Sequence, residues 1–126
     1  MTEKKYASPI ADMHYKDGVL YIKYVSADIS LAEIKVFVDD LLREFADALP
    51  VRILSDISAQ KAPRKEVRDY LGSPEVVKHL KASAIVADST LSKIAGNLFL
   101  MFSRPNSPTK IFSDFAAAEA WLRTFP

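Results

Sequence analysis

The sequence contains no cysteine. That inventory excludes disulfides, thiolate metal sites, cysteine nucleophiles and thiol redox chemistry, and it fits a reducing compartment, so a cytoplasmic location is the expectation. Glycine is scarce, with three in 126 residues. None belongs to a Gly-x-Gly-x-x-Gly or Gly-x-x-x-x-Gly-Lys-Ser/Thr pattern, so dinucleotide and P-loop chemistry are set aside. A Gly-x-Ser-x-Gly nucleophile elbow is missing too. The two histidines, His14 and His79, stand far apart and lack a carboxylate at ligand spacing, which leaves them ordinary roles and no metal or cofactor. Charge of one sign is not in excess. Seventeen basic side chains against sixteen acidic give +1, which argues against nucleic acid as a partner. Long apolar runs are absent as well: the longest strongly apolar one, Leu98 to Phe102, falls far short of the roughly 20 residues that cross a bilayer. The start, Met1 to Tyr6, is charged and opens no signal-peptide stretch.

What is present describes a folded domain. With 49% hydrophobic and 26% charged residues, the composition is globular, and the length predicts one core over residues 1–126, the first nine loosely ordered. Ile10–Tyr15 and Val19–Val25 are strand-like runs around Lys16-Asp17-Gly18, a hairpin signal because Asp-Gly tolerates positive φ. In the second run only Lys23 is charged, so both its faces are expected to be covered. Ser30 with Glu33 forms a capping box, Ile29 with Ile34 a hydrophobic staple, and Ile34, Phe37, Val38, Leu41, Leu42 and Phe45 a helical stripe.

Val51–Ile57 follows that helix as a buried strand, the pattern of a parallel crossover. Pro63 starts a helix carrying Val67, Tyr70 and Leu71, Gly72 stops it, and Ser73-Pro74-Glu75 begins another through Leu80. Ala82–Ala87 is the next strand, Asp88 or Ser89 caps a helix to about Phe102, Thr109–Phe112 is the last strand, and Ser113 caps a final helix with Phe115, Ala118, Trp121, Leu122 and Phe125 on one stripe. The fold class is α/β: a mixed, mostly parallel sheet with an N-terminal hairpin.

Several segments carry a family likeness: Val51 to Ser58 ending in Asp56-Ile57-Ser58, Ala82 to Asp88, Ser92-Lys93-Ile94-Ala95-Gly96-Asn97, and Lys110-Ile111-Phe112-Ser113-Asp114 before Ala120-Trp121-Leu122. Together they resemble the SpoIIAA-like, STAS-type domains of bacteria, the fold of anti-sigma-factor antagonists. The resemblance implies a non-enzymatic interaction or regulatory domain. Antagonists of this kind carry a phosphorylatable serine in an Asp-Ser-Ser-Gly-like turn at a helix start, where amides can hold the phosphate. Here that stretch is Ala59-Gln60-Lys61-Ala62-Pro63-Arg64, so the phosphoserine switch is not expected. Ser58 lies earlier, at the strand end. Some relatives resemble lipid-binding CRAL-TRIO domains, which implies a small apolar or lipid-like ligand as the alternative, with membrane association a further option.

The candidate site residues fall into three groups. Asp56 and Ser58 end a central strand, where open α/β sheets place ligand crevices and where the same residue types also cap turns. Arg64 and Arg68, one turn apart in a basic stretch from Lys61 to Lys81, could meet an anionic ligand or partner; the first helix is acidic, and two solvated helix faces are the plainer reading of both. Leu98, Phe99, Met101 and Phe102 are apolar all round, more than one helix face can bury. The chain itself, a second copy in a homodimer, an apolar molecule or a membrane surface would cover them.

Overall fold

The computed structural model describes residues 2–61, 63–87 and 107–126. Strands β1 (Lys4–Ala7), β2 (Ala11–Lys16), β3 (Val19–Tyr24), β4 (Val51–Asp56), β5 (Leu80–Val86) and β6 (Thr109–Phe112) form one six-stranded sheet in sequence order. Pairings β1–β2 and β2–β3 are antiparallel, and β3–β4, β4–β5 and β5–β6 are parallel. The helices are α1 (Leu31–Glu44), α2 (Lys65–Leu71), α3 (Pro74–Val77) and α4 (Phe115–Leu122), with a short 3-10 turn at Ala46–Ala48.

The hairpin turns where Asp-Gly predicts it: Asp17 has φ 52° and Gly18 φ 80°, the left-handed pair that a two-residue turn needs to match strand twist. The start of α1 is equally local in origin. Ser30 Oγ accepts from the Glu33 amide at 3.1 Å while the Ser30 amide donates to Glu33 Oε1 at 3.0 Å, and Ile29 and Ile34 are both buried, completing cap and staple.

Three differences from the sequence reading have physical causes. Residues 1–9, read as loosely ordered, contain the edge strand β1. Its inward positions are Lys4 and Tyr6, which carry polar ends: Lys4 Nζ donates to the Glu44 carbonyl at 2.7 Å and lies 5.5 Å from the centre of the Phe45 ring, so hydrophobic alternation does not reveal the strand. The helix expected to run through Leu80 stops at Val77 because Leu80 pairs with Val51 in the sheet. The cap of α4 is Asp114 rather than Ser113, its Oδ2 accepting from the Ala117 amide at 3.2 Å. The helix expected from Asp88 or Ser89 to Phe102 lies outside the described residues.

The core has two layers. On one face of the sheet Met13, Leu20, Ile22, Ile53 and Ile85 pack against Ile34, Phe37, Val38 and Leu41 of α1 and Val67 of α2. On the other, Val19, Leu54, Ala82, Ala84 and Val86 meet Ala118 and Leu122 of α4. Buried alanines on both sides of the contact, Ala82 and Ala84 on β5 and Ala118 on α4, let the helix lie close on the strand. Among the described residues α4 packs over β4, β5 and β6.

Candidate interaction rim at the carboxyl ends of the parallel strands

Because β3, β4, β5 and β6 run parallel, the segments that leave their carboxyl ends gather at one rim, the position where open α/β sheets bind ligands. Asp56 ends β4, and both the amide of Ser58, at 3.0 Å, and its hydroxyl donate to Asp56 Oδ1. This is an Asx-type turn in which the carboxylate substitutes for a backbone acceptor. The structure thus brings Asp56 and Ser58 together as a turn cap.

The loop after β4 is pinned on both sides. The Gln60 amide donates to Ile57 O at 3.0 Å, the Lys61 amide to Ala27 O at 2.9 Å, and the Ile57 amide to Val86 O at 3.2 Å. Arg64 then closes the rim with a fork: Nε and Nη2 donate to Asp28 Oδ1 and Oδ2 at 3.0 and 2.8 Å. That hydrogen bonding holds the Asp28 carboxyl below the usual carboxylate range, since the bidentate geometry favours the ionised form. The guanidinium expected to meet an external anion is occupied by a carboxylate of the same chain. Arg68 lies one turn further along α2 and is half-buried. Leu98, Phe99, Met101 and Phe102 lie outside the described residues.

Sequence reasoning missed Asp28 as a member of the rim. Its spacing from Arg64 carries no local signal, and the two meet only because α1 and α2 lie side by side; Lys35 Nζ over the Tyr70 ring, 5.6 Å from its centre, is a second tie between these helices. The acidic and basic helices therefore touch.

Behind the rim, on the α1 side of the sheet, a cavity of about 120 Å³ is walled mainly by apolar side chains such as Ile22, Ile34, Phe37, Ile53 and Ile85, with Ser55 and Ser83 among its few polar neighbours. Among the described residues no three His, Asp or Glu side chains are grouped to hold a metal ion, and no helix is long and apolar enough to cross a membrane.

This arrangement of hairpin, parallel strands and helices on both faces is the SpoIIAA-like fold. It superposes on an uncharacterized protein of the DUF3478 family with a SpoIIAA-like fold from Shewanella loihica PV-4 at a TM-score of 0.62 and 21% identity, covering 96% of this chain and 92% of that one. An anti-sigma factor antagonist from Mycobacterium paratuberculosis matches at a TM-score of 0.63 and 17% identity, covering 94% of this chain and 99% of the other. The family model described as a domain of unknown function (DUF7793) matches residues 13–126, and the chain belongs to that family. No curated protein matches the sequence.

Proposed function

We propose that this chain is a non-enzymatic regulatory domain of the cytoplasm that binds a protein partner through the rim at the carboxyl ends of β3 and β4, without a phosphoserine switch. The observation that carries the reading is the pinned loop from Ile57 to Arg64, held by Lys61 to Ala27 and by Arg64 to Asp28 in a fold shared with an anti-sigma factor antagonist. A loop fixed at both ends presents its exposed side chains, Lys61 among them, with little ordering cost on association. Residues 59–64 offer no hydroxyl, and the Ser58 hydroxyl is engaged by Asp56.

The test is crosslinking of the tagged full chain in its own cells, with wild type compared against Lys61→Glu and Ser58→Asp. One partner captured by wild type and by Ser58→Asp, and lost with Lys61→Glu, is the expected result. Equal capture by all three removes the rim from the interface, and loss with Ser58→Asp restores a phosphorylation switch.

A second reading rests on the cavity against α1. At about 120 Å³ it is close to the roughly 150 Å³ engineered apolar cavities that admit benzene. Its occupant as a carrier or sensor would be ring-sized rather than a full acyl chain. Native mass spectrometry of protein purified in gentle buffer distinguishes the readings: a recurrent small apolar mass supports the carrier, and a bare chain removes it.

A further inference from the structure

On the face of the sheet that holds α4, a groove of about 480 Å³ lies among the described residues beside the start of that helix, lined by Asp12, Tyr21, Lys23, Leu54, Asp56 and Phe115. Its volume lies within the range of small-molecule sites. Its chemistry is ordered by the strand register: Asp12 stands opposite Lys23, and Lys23 opposite Asp56. Carboxylate, ammonium and carboxylate therefore follow one another across three strands at intervals of about 4.8 Å.

None of Asp12, Lys23 and the adjoining Lys5 makes an ion pair or side-chain hydrogen bond among the described residues. Asp56 is half engaged, through Oδ1 alone. One step along β3 from Lys23 on the same face, about 7 Å away, comes Tyr21, whose ring stacks on Phe115 with centroids 5.8 Å apart and planes at 15°. The Tyr21 hydroxyl is tied to Glu119 Oε2 at 2.6 Å, which fixes the ring. Phe115, at 45% exposure, is one of the large apolar side chains the fold leaves open.

We infer that this groove binds a small zwitterion of the α-amino-acid class bearing an aromatic or bulky apolar side chain. The ligand carboxylate meets Lys23, its ammonium meets Asp12, and its side chain lies on the Tyr21–Phe115 pair. Two opposite charges a strand spacing apart, with an aromatic surface one side-chain length away, match that class. A fatty acid would leave Asp12 unanswered, and an amine would leave Lys23 so. The groove opens on the opposite side of the sheet from the apolar cavity and shares Asp56 with the rim; the amino-acid titration reads it in the chain alone, apart from any protein partner.

The test is an amide NMR titration of the labelled full chain with L-phenylalanine as probe. Saturable shifts confined to β2, β3 and the first turn of α4 are expected. Binding of 3-phenylpropionate or phenethylamine should be about threefold to fivefold weaker, which is what one exposed ion pair contributes. Glycine should give no saturation. Lys23→Met and Phe115→Ala, both at exposed positions, should each weaken L-phenylalanine while the remaining spectrum shows the fold intact. Absence of saturable shifts, shifts located instead around Ile22 and Phe37, or equal binding of 3-phenylpropionate and L-phenylalanine overturns the assignment.

Discussion

Arg52 Nη1 donates to the carbonyl of Phe125 at 2.8 Å, and the same side chain's Nε donates to Gly18 O at 3.1 Å. One guanidinium on β4 thereby joins the hairpin turn to the residues that follow α4, segments that share no strand pairing. Hydrogen bonds from a charged donor contribute more than neutral ones. Arg52→Met is expected to lower unfolding stability by about 2 kcal/mol, read as a reduced urea midpoint with unchanged slope.

Gly18 answers to two constraints at once. Its φ is 80°, and a Cβ there would come within 2.6 Å of Arg52 Nη2. The guanidinium end can move, so the backbone conformation is the larger part. Gly18→Ala should cost about 1–2 kcal/mol, and in an Arg52→Met background the cost should fall because the contact is gone. A double-mutant cycle in urea measures that difference.

The α4 contact is built from small residues, with Ala82, Ala84 and Ala118 all fully buried. Ala118→Leu should destabilise by about 1–3 kcal/mol through overpacking. Leu122→Ala, which opens space in the same layer, should cost about 2–5 kcal/mol. If thermal melts show Ala118→Leu to be neutral, the helix is not seated closely on β5.

Acid should weaken the fold. The Asp28 carboxyl is lowered by its hydrogen bond to Arg64, Glu33 by the Ser30 amide, Glu44 by Lys4 and Glu3 by His14. A carboxyl with a depressed folded value contributes stability that is present above its unfolded value and lost as pH falls through the folded one. Starting values of 3.8 for Asp28 and 4.5 for the glutamates place the loss below about pH 4.5. Urea midpoints should be level from pH 7 to 5 and then decline, less steeply in Asp28→Asn. Glu3, Asp28 and Glu33 are exposed and Glu44 is half-buried, so added salt should flatten the decline further.

At the alkaline end the sign reverses. Burial first, and then the hydrogen bond to Glu119, push the Tyr21 hydroxyl up to about 12 from 10.0, and burial raises Tyr24 as well. A raised folded value gives stability that is complete below the unfolded value and lost as pH rises through the folded one. Ultraviolet titration should show tyrosines ionising late, above pH 10, with one late ionisation absent in Tyr21→Phe.

Much of this fold is legible locally. The Asp17-Gly18 turn, the Ser30–Glu33 box, the stripe from Ile34 to Phe45 and the strand Thr109–Phe112 are each written in a handful of adjacent residues, and the structure has them at those positions. The rim was legible in half: Asp56 and Ser58 share one turn, so neighbouring residues decide their contact. Arg64 with Asp28, thirty-six positions apart, was not, since nothing near either residue names the other.

The sequence by itself determined the α/β class, the hairpin, the cap of α1 and the lack of cysteine or glycine-loop chemistry, because these depend on inventory and on spacings within a few residues. Tertiary structure alone decided that Lys4–Ala7 becomes an edge strand, that Arg64 closes on Asp28, and that Asp12, Lys23 and Asp56 line up across three strands beside Phe115. Each of these is set by which strands and helices lie next to one another. That adjacency follows from burying two faces of one sheet, a condition met by the whole chain and visible in no short stretch of it.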